Sequence, residues 1–184
     1  MPRSSAVSSG PRNVLLVGMM GCGKSSVAKK VAAGLGFRVL DSDELVVKES
    51  GMSIPEIFAK EGEEGFRERE SAVLAGIAGV DLHVISTGGG IVLRPENRAR
   101  IGALGFVIWL AADVESLARR LRRSRNRPLI NVEDRVEGLR ALLDLREELY
   151  REVADLIVDT SNLTLEETVH GIIESTQYHF ATLR

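Results

Sequence analysis

The chain has 184 residues, with 24 Lys and Arg against 26 Asp and Glu, one cysteine and 44% hydrophobic residues. This length predicts a single domain whose core needs no disulfide or metal. The net charge of −2 argues against a nucleic-acid binder, and the longest apolar stretch, 103–112, is too short to span a membrane. We therefore expect a cytoplasmic monomer that binds neither nucleic acid nor a membrane.

Residues 1–12 are rich in Ser, Pro and Gly and predict a disordered leader, followed by one domain at 13–176 and a tail at 177–184. Short apolar runs alternate with helical patterns along the domain. The predicted strands are 14–17, 37–40, 83–86, 106–110 and 156–158. The predicted helices are 24–35, 44–49, 64–78 and 133–153, with further helices capped at Ser53, Asp113 and Thr164. This alternation predicts a parallel sheet covered on both faces, with the ligand at the carboxyl ends of the strands.

The segment GMMGCGKS at 18–25 follows the first predicted strand and fits the phosphate-loop pattern G-x-x-x-x-G-K-[ST]. Its glycines let backbone N–H groups converge on a phosphate, and the helix N-terminus adds partial positive charge. In this pattern Lys24 reaches the β- and γ-phosphates and the Ser25 hydroxyl binds Mg²⁺. The segment therefore predicts a nucleoside triphosphate site. We interpret Cys22, at a position that the pattern leaves free, as a small tolerated side chain.

Two carboxylates, Asp41 and Asp43, stand at the end of the second predicted strand. Beside a phosphate loop they suit a division of labour in which one faces the metal and the other faces an incoming hydroxyl. The alternative is that they end the strand and cap the next helix, for which Asp43 is well placed.

Three glycines, at 88–90, follow the third predicted strand and expose backbone N–H groups to a ligand, unless they form only a flexible turn. Ser86 and Thr87 stand where an ordinary P-loop ATPase has an acidic residue at the end of this strand. Their presence argues against that class of enzyme.

Several arginines are candidates for binding an anion. Arg67 and Glu70 share a helix face, where the carboxylate is able to hold the arginine, although a solvated charged face is the alternative. Six more arginines precede Pro128, and we interpret 124–132 as a mobile lid that brings one of them over the phosphates while most stay solvated. These six are Arg119, Arg120, Arg122, Arg123, Arg125 and Arg127. By spacing alone, Arg146 is predicted to be a surface residue.

As a set, these segments resemble the shikimate kinase family, within the nucleoside-monophosphate-kinase-like P-loop group. The matching segments are GMMGCGKSS, DSD, GFRERE, STGGG, RNRPLI and REELYREVADLIVDT, in the family's order and spacing. The resemblance implies a three-layer α/β/α fold with a five-stranded parallel sheet, substrate-binding helices at about 43–79 and a lid at about 124–132. It also implies transfer of the γ-phosphate of ATP, with Mg²⁺, to the 3-hydroxyl of shikimate.

The resemblance further implies roles for individual residues. The ATP-binding set is Gly21, Cys22, Gly23, Lys24, Ser25, Ser26 and the lid residue Arg127. Ser25 matches the Mg²⁺ ligand and Asp41 its water-mediated partner. Asp43 matches the carboxylate that holds the reacting hydroxyl and is the candidate base, with Lys24 and Arg127 completing the catalytic set. The substrate-binding set is Asp43, the carboxylate-binding pair Arg67 and Arg146, and the backbone of Gly88, Gly89 and Gly90.

Three other functions stay open at this point. A kinase of the same group acting on gluconate or quinate would use the same pair of arginines. A regulatory P-loop switch that reads guanine would need an Asn-Lys-x-Asp segment, which the sequence lacks. A degenerate homologue acting only as an interaction module is disfavoured, because every residue required for catalysis is present.

Overall fold

The computed structural model describes residues 10–121 and 135–182. Its strands are β1 (Val14–Val17), β2 (Arg38–Asp41), β3 (His83–Ser86), β4 (Phe106–Ala111) and β5 (Leu156–Asp159). Its helices are α1 (Lys24–Leu35), α2 (Ser42–Ser50), α3 (Ile54–Gly76), α4 (Pro95–Leu104), α5 (Val114–Leu121), α6 (Arg135–Val153) and α7 (Leu165–Thr182). A 3₁₀ turn, Ile91–Leu93, precedes α4.

The five strands form one parallel sheet in the order β2-β3-β1-β4-β5. The chain moves one way from β1 to β2 and the other way from β3 to β4 and from β4 to β5. Because such crossovers are right-handed, α1 lies on one face of the sheet while α4 and α6 lie on the other. The predicted three-layer α/β/α fold with a five-stranded parallel sheet is confirmed.

The burial of the strands follows from this order. All four residues of β1 and five of the six in β4 are buried, as expected for inner strands with helices on both faces. The edge strands β2 and β5 are partly exposed. A second, smaller core formed by Val46, Ile57, Phe66 and Val73 joins α2 to α3 beside the sheet.

The topology also predicts where a ligand binds. The chain reverses its direction across the sheet between β1 and β3, and a crevice forms outside the carboxyl ends of strands at such a point. The register pairs Leu16 with Ser86, and Asp41 with Ser86, so that the ends of β1, β2 and β3 lie at one level. The phosphate-loop segment, the two aspartates and the triple glycine all follow these ends.

The structure differs from the predicted elements in several places. The unassigned segment after the triple glycine contains the 3₁₀ turn and α4. The helices predicted near Ser53 and at 64–78 are joined across a kink at Gly62. The strand predicted at 37–40 lies one residue later, at Arg38–Asp41. Residues 177–182 of the predicted tail are helical and continue α7.

Several sequence predictions fall outside the described residues. These are most of the leader (1–9), the whole lid (124–132) with Arg122, Arg123, Arg125 and Arg127, and the last two residues. Residues 10–12 of the leader lie outside any helix or strand, and the Arg12 N–H donates to Asp81 Oδ1 at 2.6 Å. No helix within the described ranges is long and apolar enough to cross a membrane.

Candidate active site

In the loop between β1 and α1, the lysine side chain hydrogen-bonds to the backbone of the loop. Lys24, 7% exposed, donates from Nζ to the carbonyl oxygens of Gly18 at 2.7 Å and Met19 at 2.8 Å. Gly23 precedes α1 with φ of 98°, a left-handed conformation that side chains rarely adopt. The first turn of α1 therefore opens directly towards the crevice, with an ammonium group held beside it. This arrangement is suited to an anion.

Beside the loop, three oxygen-bearing side chains meet. Ser25 Oγ donates to Asp41 Oδ2 at 2.8 Å and lies 3.3 Å from Ser86 Oγ. Mg²⁺ prefers such oxygen ligands and keeps several waters, so that one or two protein oxygens plus phosphates suffice. No cluster of three or more His, Cys, Asp or Glu able to hold a metal occurs among the described residues. These oxygens fit a magnesium ion that binds together with the nucleotide.

Asp41, and not Asp43, caps α2. Asp41 Oδ1 accepts from the backbone N–H groups of Asp43 at 3.0 Å and Glu44 at 3.4 Å, and α2 begins at Ser42. The capping alternative for Asp43 is therefore wrong. Asp43 lies inside the first turn of α2 and lines the crevice.

A cavity of about 220 Å³ joins these groups. It is lined by Gly21, Gly23, Lys24, Ser25, Ser26, Asp41, Asp43, Ser86, Thr87, Arg120 and Leu121. The predicted phosphate-binding residues, apart from the buried Cys22 and the undescribed Arg127, thus share one space with both aspartates. Cys22 is 3% exposed and its Sγ lies 3.6 Å from Lys24 Nζ, behind the loop.

The triple glycine forms a buried turn that is packed against the charged groups. A methyl group added at Gly88 would collide with Glu70 and would lie 2.8 Å from Asp43 Oδ1. One added at Gly90 would collide with the guanidinium of Arg67. Glu70, Asp43 and Arg67 therefore lie side by side against this turn.

Arg67 is buried among carboxylates, so the solvated-face alternative is wrong for Arg67 and Glu70. It donates from Nη1 to Glu70 and from Nη2 to Glu63 Oε1 at 2.9 Å. Burial opposes its charge, but Glu70 and Glu63 outweigh burial and raise the pKa of Arg67 above its usual range. Burial raises the pKa of Glu70, against the opposing pull of Arg67. Arg67 is thus a positively charged side chain that two carboxylates hold in place and from which water is almost excluded.

Arg146 is 2% exposed, so its predicted surface position is wrong. Its Nη1 lies 3.5 Å from the Gly89 carbonyl oxygen, and its Nε is buried with no hydrogen-bond partner in the described part of the chain. A buried donor without a partner is costly unless a ligand or water supplies an acceptor. Arg67 and Arg146 therefore present two buried cations at adjacent glycines, which suits a carboxylate ligand.

Three residues of the site carried no sequence prediction of their own or were assigned to the surface. Arg120 lines the cavity and donates to Thr160 at its side-chain oxygen (3.0 Å) and carbonyl (2.6 Å). The buried Ser42 accepts from Gly88 N at 2.9 Å, and the buried Tyr150 donates to the Gly89 carbonyl oxygen. For Tyr150 a signal existed, because it follows Arg146 by four residues and so shares its helix face.

Comparisons with known proteins identify the family of this chain. A family model described as shikimate kinase matches residues 20–177. The chain belongs to the shikimate kinase family. Among its relatives, a shikimate kinase of Pseudomonas entomophila (strain L48) is 45% identical over 166 residues, 90% of this chain and 96% of that one. One of Thioalkalivibrio sulfidiphilus (strain HL-EbGR7) is 44% identical over 160 residues, 87% of this chain and 84% of that one.

Solved structures give the same family. The shikimate kinase from Acinetobacter baumannii, in complex with shikimate, is 39% identical, with a TM-score of 0.87 over 92% of this chain and 94% of that one. A gluconokinase from Sinorhizobium meliloti 1021 is 18% identical with a TM-score of 0.63, covers 95% of each chain, and shows a shared fold alone. As a member of the shikimate kinase family, this chain is an ATP-dependent P-loop kinase of the nucleoside-monophosphate-kinase-like fold.

Proposed function

We propose that this chain transfers the γ-phosphate of ATP to the 3-hydroxyl of shikimate, giving shikimate 3-phosphate and ADP. The observation that carries the proposal is the position of the Gly88–90 turn. Two buried arginines and Asp43 adjoin it, and the phosphate loop lies directly behind it. A carboxylate site, an acceptor for a hydroxyl and an anion site are thereby adjacent. A small hydroxy acid and a nucleoside triphosphate match these features.

Arg67 and Arg146 bind the substrate carboxylate in this proposal. Both are at least nine-tenths buried, so their attraction for an anion is only weakly screened by water. Arg67 is held by Glu70, which leaves less freedom to be lost when the acid binds. The backbone N–H groups of the glycine turn meet the ring hydroxyls, and α2 and α3, joined by their own small core, form the substrate-binding region at 43–79.

Asp43 receives the reacting hydroxyl. Its carboxylate lines the same cavity as the phosphate loop, so a hydroxyl hydrogen-bonded to it faces the nucleotide. Asp43 orients the hydroxyl and accepts its proton as the oxygen attacks the γ-phosphorus. Phosphoryl transfer requires positioning and charge neutralisation more than covalent help from the protein.

Lys24 and the N-terminus of α1 bind the nucleotide phosphates, through the backbone of Gly21, Cys22 and Gly23 and the residues Ser25 and Ser26. Ser25 and Asp41 would hold Mg²⁺, which would neutralise part of the negative charge of the phosphates. In this proposal Arg127 acts from the lid at 124–132, outside the described residues, over the transferring phosphate. We also propose that the protein works as a cytoplasmic monomer.

The test is ADP release from ATP by the purified protein, with and without shikimate and with and without Mg²⁺, in a coupled spectrophotometric assay. We expect turnover only when both are present. A rate that is independent of shikimate, or no rate at all, would refute the substrate assignment while leaving the nucleotide site in place. Gluconate and quinate should be tested in the same assay. Faster turnover with either acid than with shikimate would identify that acid as the substrate.

A further inference from the structure

The three peptide groups around Gly88 and Gly89 are each held at one polar atom. Gly88 N donates to Ser42 Oγ at 2.9 Å, and the Gly88 carbonyl oxygen accepts from Ile91 N at 3.2 Å. The Gly89 carbonyl oxygen accepts from the Tyr150 hydroxyl. In a planar trans peptide the C=O and N–H groups point in opposite directions. Fixing the Gly88 and Gly89 carbonyls therefore fixes the directions of the Gly89 and Gly90 N–H groups.

This control matters because glycine is the residue least able to hold its own conformation. The N–H groups of Gly89 and Gly90 have no partner among the described residues, so they are available to a ligand. Ser42 and Ile91 hold the peptide groups before Gly89, and Tyr150 holds the one after it. Without the Tyr150 hydroxyl, Arg146 Nη1, at 3.5 Å, would be the one remaining donor to the Gly89 carbonyl among residues 10–121 and 135–182.

Tyr150 is built to keep this contact. Its side chain is 0% exposed and its ring packs on Trp109 of β4, with ring centroids 5.7 Å apart. Burial raises the pKa of Tyr150 well above its usual range, so the hydroxyl keeps its proton and acts as a donor. A tyrosine of a helix that is fully buried, with its ring stacked on a neighbouring strand, has little freedom to turn its hydroxyl elsewhere.

We propose that Tyr150 is a positioning residue, which acts through the Gly89 carbonyl to aim the N–H groups of the Gly88–90 turn at the ring hydroxyls of the acid substrate. It touches neither substrate. It holds the peptide between Gly89 and Gly90, while Arg146, one turn earlier on α6, binds the carboxylate. The test has two arms. The first measures hydrogen exchange and does not depend on the proposed function, whereas the second measures shikimate binding and rests on it.

The first arm measures amide hydrogen exchange of Gly88 and Ile91 in the ligand-free protein, for Tyr150→Phe against Tyr178→Phe. The only other tyrosine, Tyr178, is 74% exposed on α7 and makes a matched control. We expect exchange of both amides to quicken at least about tenfold in Tyr150→Phe alone, because their hydrogen bonds belong to the turn that Tyr150 anchors. Unchanged exchange would overturn the proposal, whatever the substrate is.

The second arm measures the dissociation constant of shikimate and of three analogues: the 4-deoxy acid, the 5-deoxy acid and the methyl ester. We expect Tyr150→Phe to weaken shikimate binding about tenfold, as for a lost hydrogen bond, with the KM for ATP within about twofold of wild type. At least one deoxy analogue should bind Tyr150→Phe and wild type equally well, whereas the methyl ester should still bind Tyr150→Phe more weakly than wild type. If both deoxy acids bind Tyr150→Phe more weakly than wild type, or if the ester binds both proteins equally well, the effect belongs to Arg146 and the proposal is overturned.

The two arms separate the two ideas. If the wild-type protein does not bind shikimate while the exchange result holds, the proposed substrate is wrong and Tyr150 still orders the turn. If wild-type binding is normal and Tyr150→Phe matches Tyr178→Phe in both arms, the substrate stands and the role of Tyr150 is refuted.

Discussion

Arg67 and Glu70 form an ion pair from which water is almost excluded, with side chains 7% and 0% exposed. A second carboxylate on Arg67, that of Glu63, is 52% exposed. The two partners of one guanidinium therefore differ chiefly in burial. Removing a partner from a buried pair leaves an uncompensated charge, whereas a half-exposed partner is readily replaced by water.

We expect Glu70→Ala to lower the free energy of unfolding by about 3–5 kcal/mol. The matched control, Glu63→Ala, should cost no more than about 1 kcal/mol. Urea denaturation of the three proteins measures both effects. Equal losses in the two variants would mean that burial does not set the value of this pair.

Asp43→Asn tests the acceptor of the hydroxyl proton. The amide keeps the size of the side chain but loses its negative charge and its basicity, so kcat should fall by about 10²–10⁴-fold. ATP affinity should stay near wild type, because the phosphate loop and Ser25 are untouched. Single-turnover kinetics with an independent measurement of ATP binding checks both statements. Near-normal turnover would remove Asp43 from the mechanism.

Arg146→Ala tests the carboxylate site from the α6 side. Loss of a buried charged donor should raise the KM for shikimate between about tenfold and a hundredfold. The control is Arg140→Ala on the same helix, where Arg140 is exposed and lies 3.4 Å from Glu115. That variant should leave the KM unchanged. If Arg146→Ala kept its wild-type KM, the acid would have to be held elsewhere.

The N-terminus of α3 gives a prediction for pH. Hydrogen bonds from the Ser53 side chain and backbone lower the pKa of Glu56 below its ordinary value of 4.5. A carboxyl whose pKa is lower in the folded state than in the unfolded state stabilises the fold at any pH above its unfolded-state pKa. This stability is lost as the pH falls through its folded-state pKa. Wild type should therefore be more stable than Glu56→Gln at pH 7, and the difference should shrink as the pH falls below 4.5 and through the lowered folded-state pKa.

Denaturation curves from pH 7 to pH 3 measure this difference. The control is Glu68→Gln, which alters an exposed glutamate of the same helix away from its first turn. A stability difference for Glu56→Gln that is constant over this range would contradict the assigned cause.

The phosphate-loop half of the fold was readable from sequence. The bounds of β1, α1 and β3 agree with the predicted ones, because a buried parallel strand is a continuous apolar run bounded by turns. The cap at Ser53 agrees for a similar reason, since a capping box is a local pattern that needs no tertiary contact. Local rules thus identified the elements that carry the nucleotide site.

What local rules could not supply was burial by distant segments. Arg146 belongs to a charged helix whose spacing does not reveal that this face packs on the glycine turn 57 residues earlier. The α4 sequence, PENRARIGAL, has too few apolar positions to signal a helix. Its place follows from the crossover between β3 and β4. In the same way, Arg120 looks solvated until Thr160 is brought beside it.

The Cα of Gly89 packs against the phosphate loop. A methyl group at this position would come within 3.3 Å of Met20 N and 3.4 Å of the Gly18 carbonyl oxygen. The carbonyl oxygen of Gly89 faces Tyr150 and Arg146. Gly89 thus separates the phosphate loop from the side chains of α6 that contact the glycine turn. Thermodynamic reciprocity then requires that the factor by which nucleotide changes affinity for the acid equals the factor by which the acid changes affinity for nucleotide.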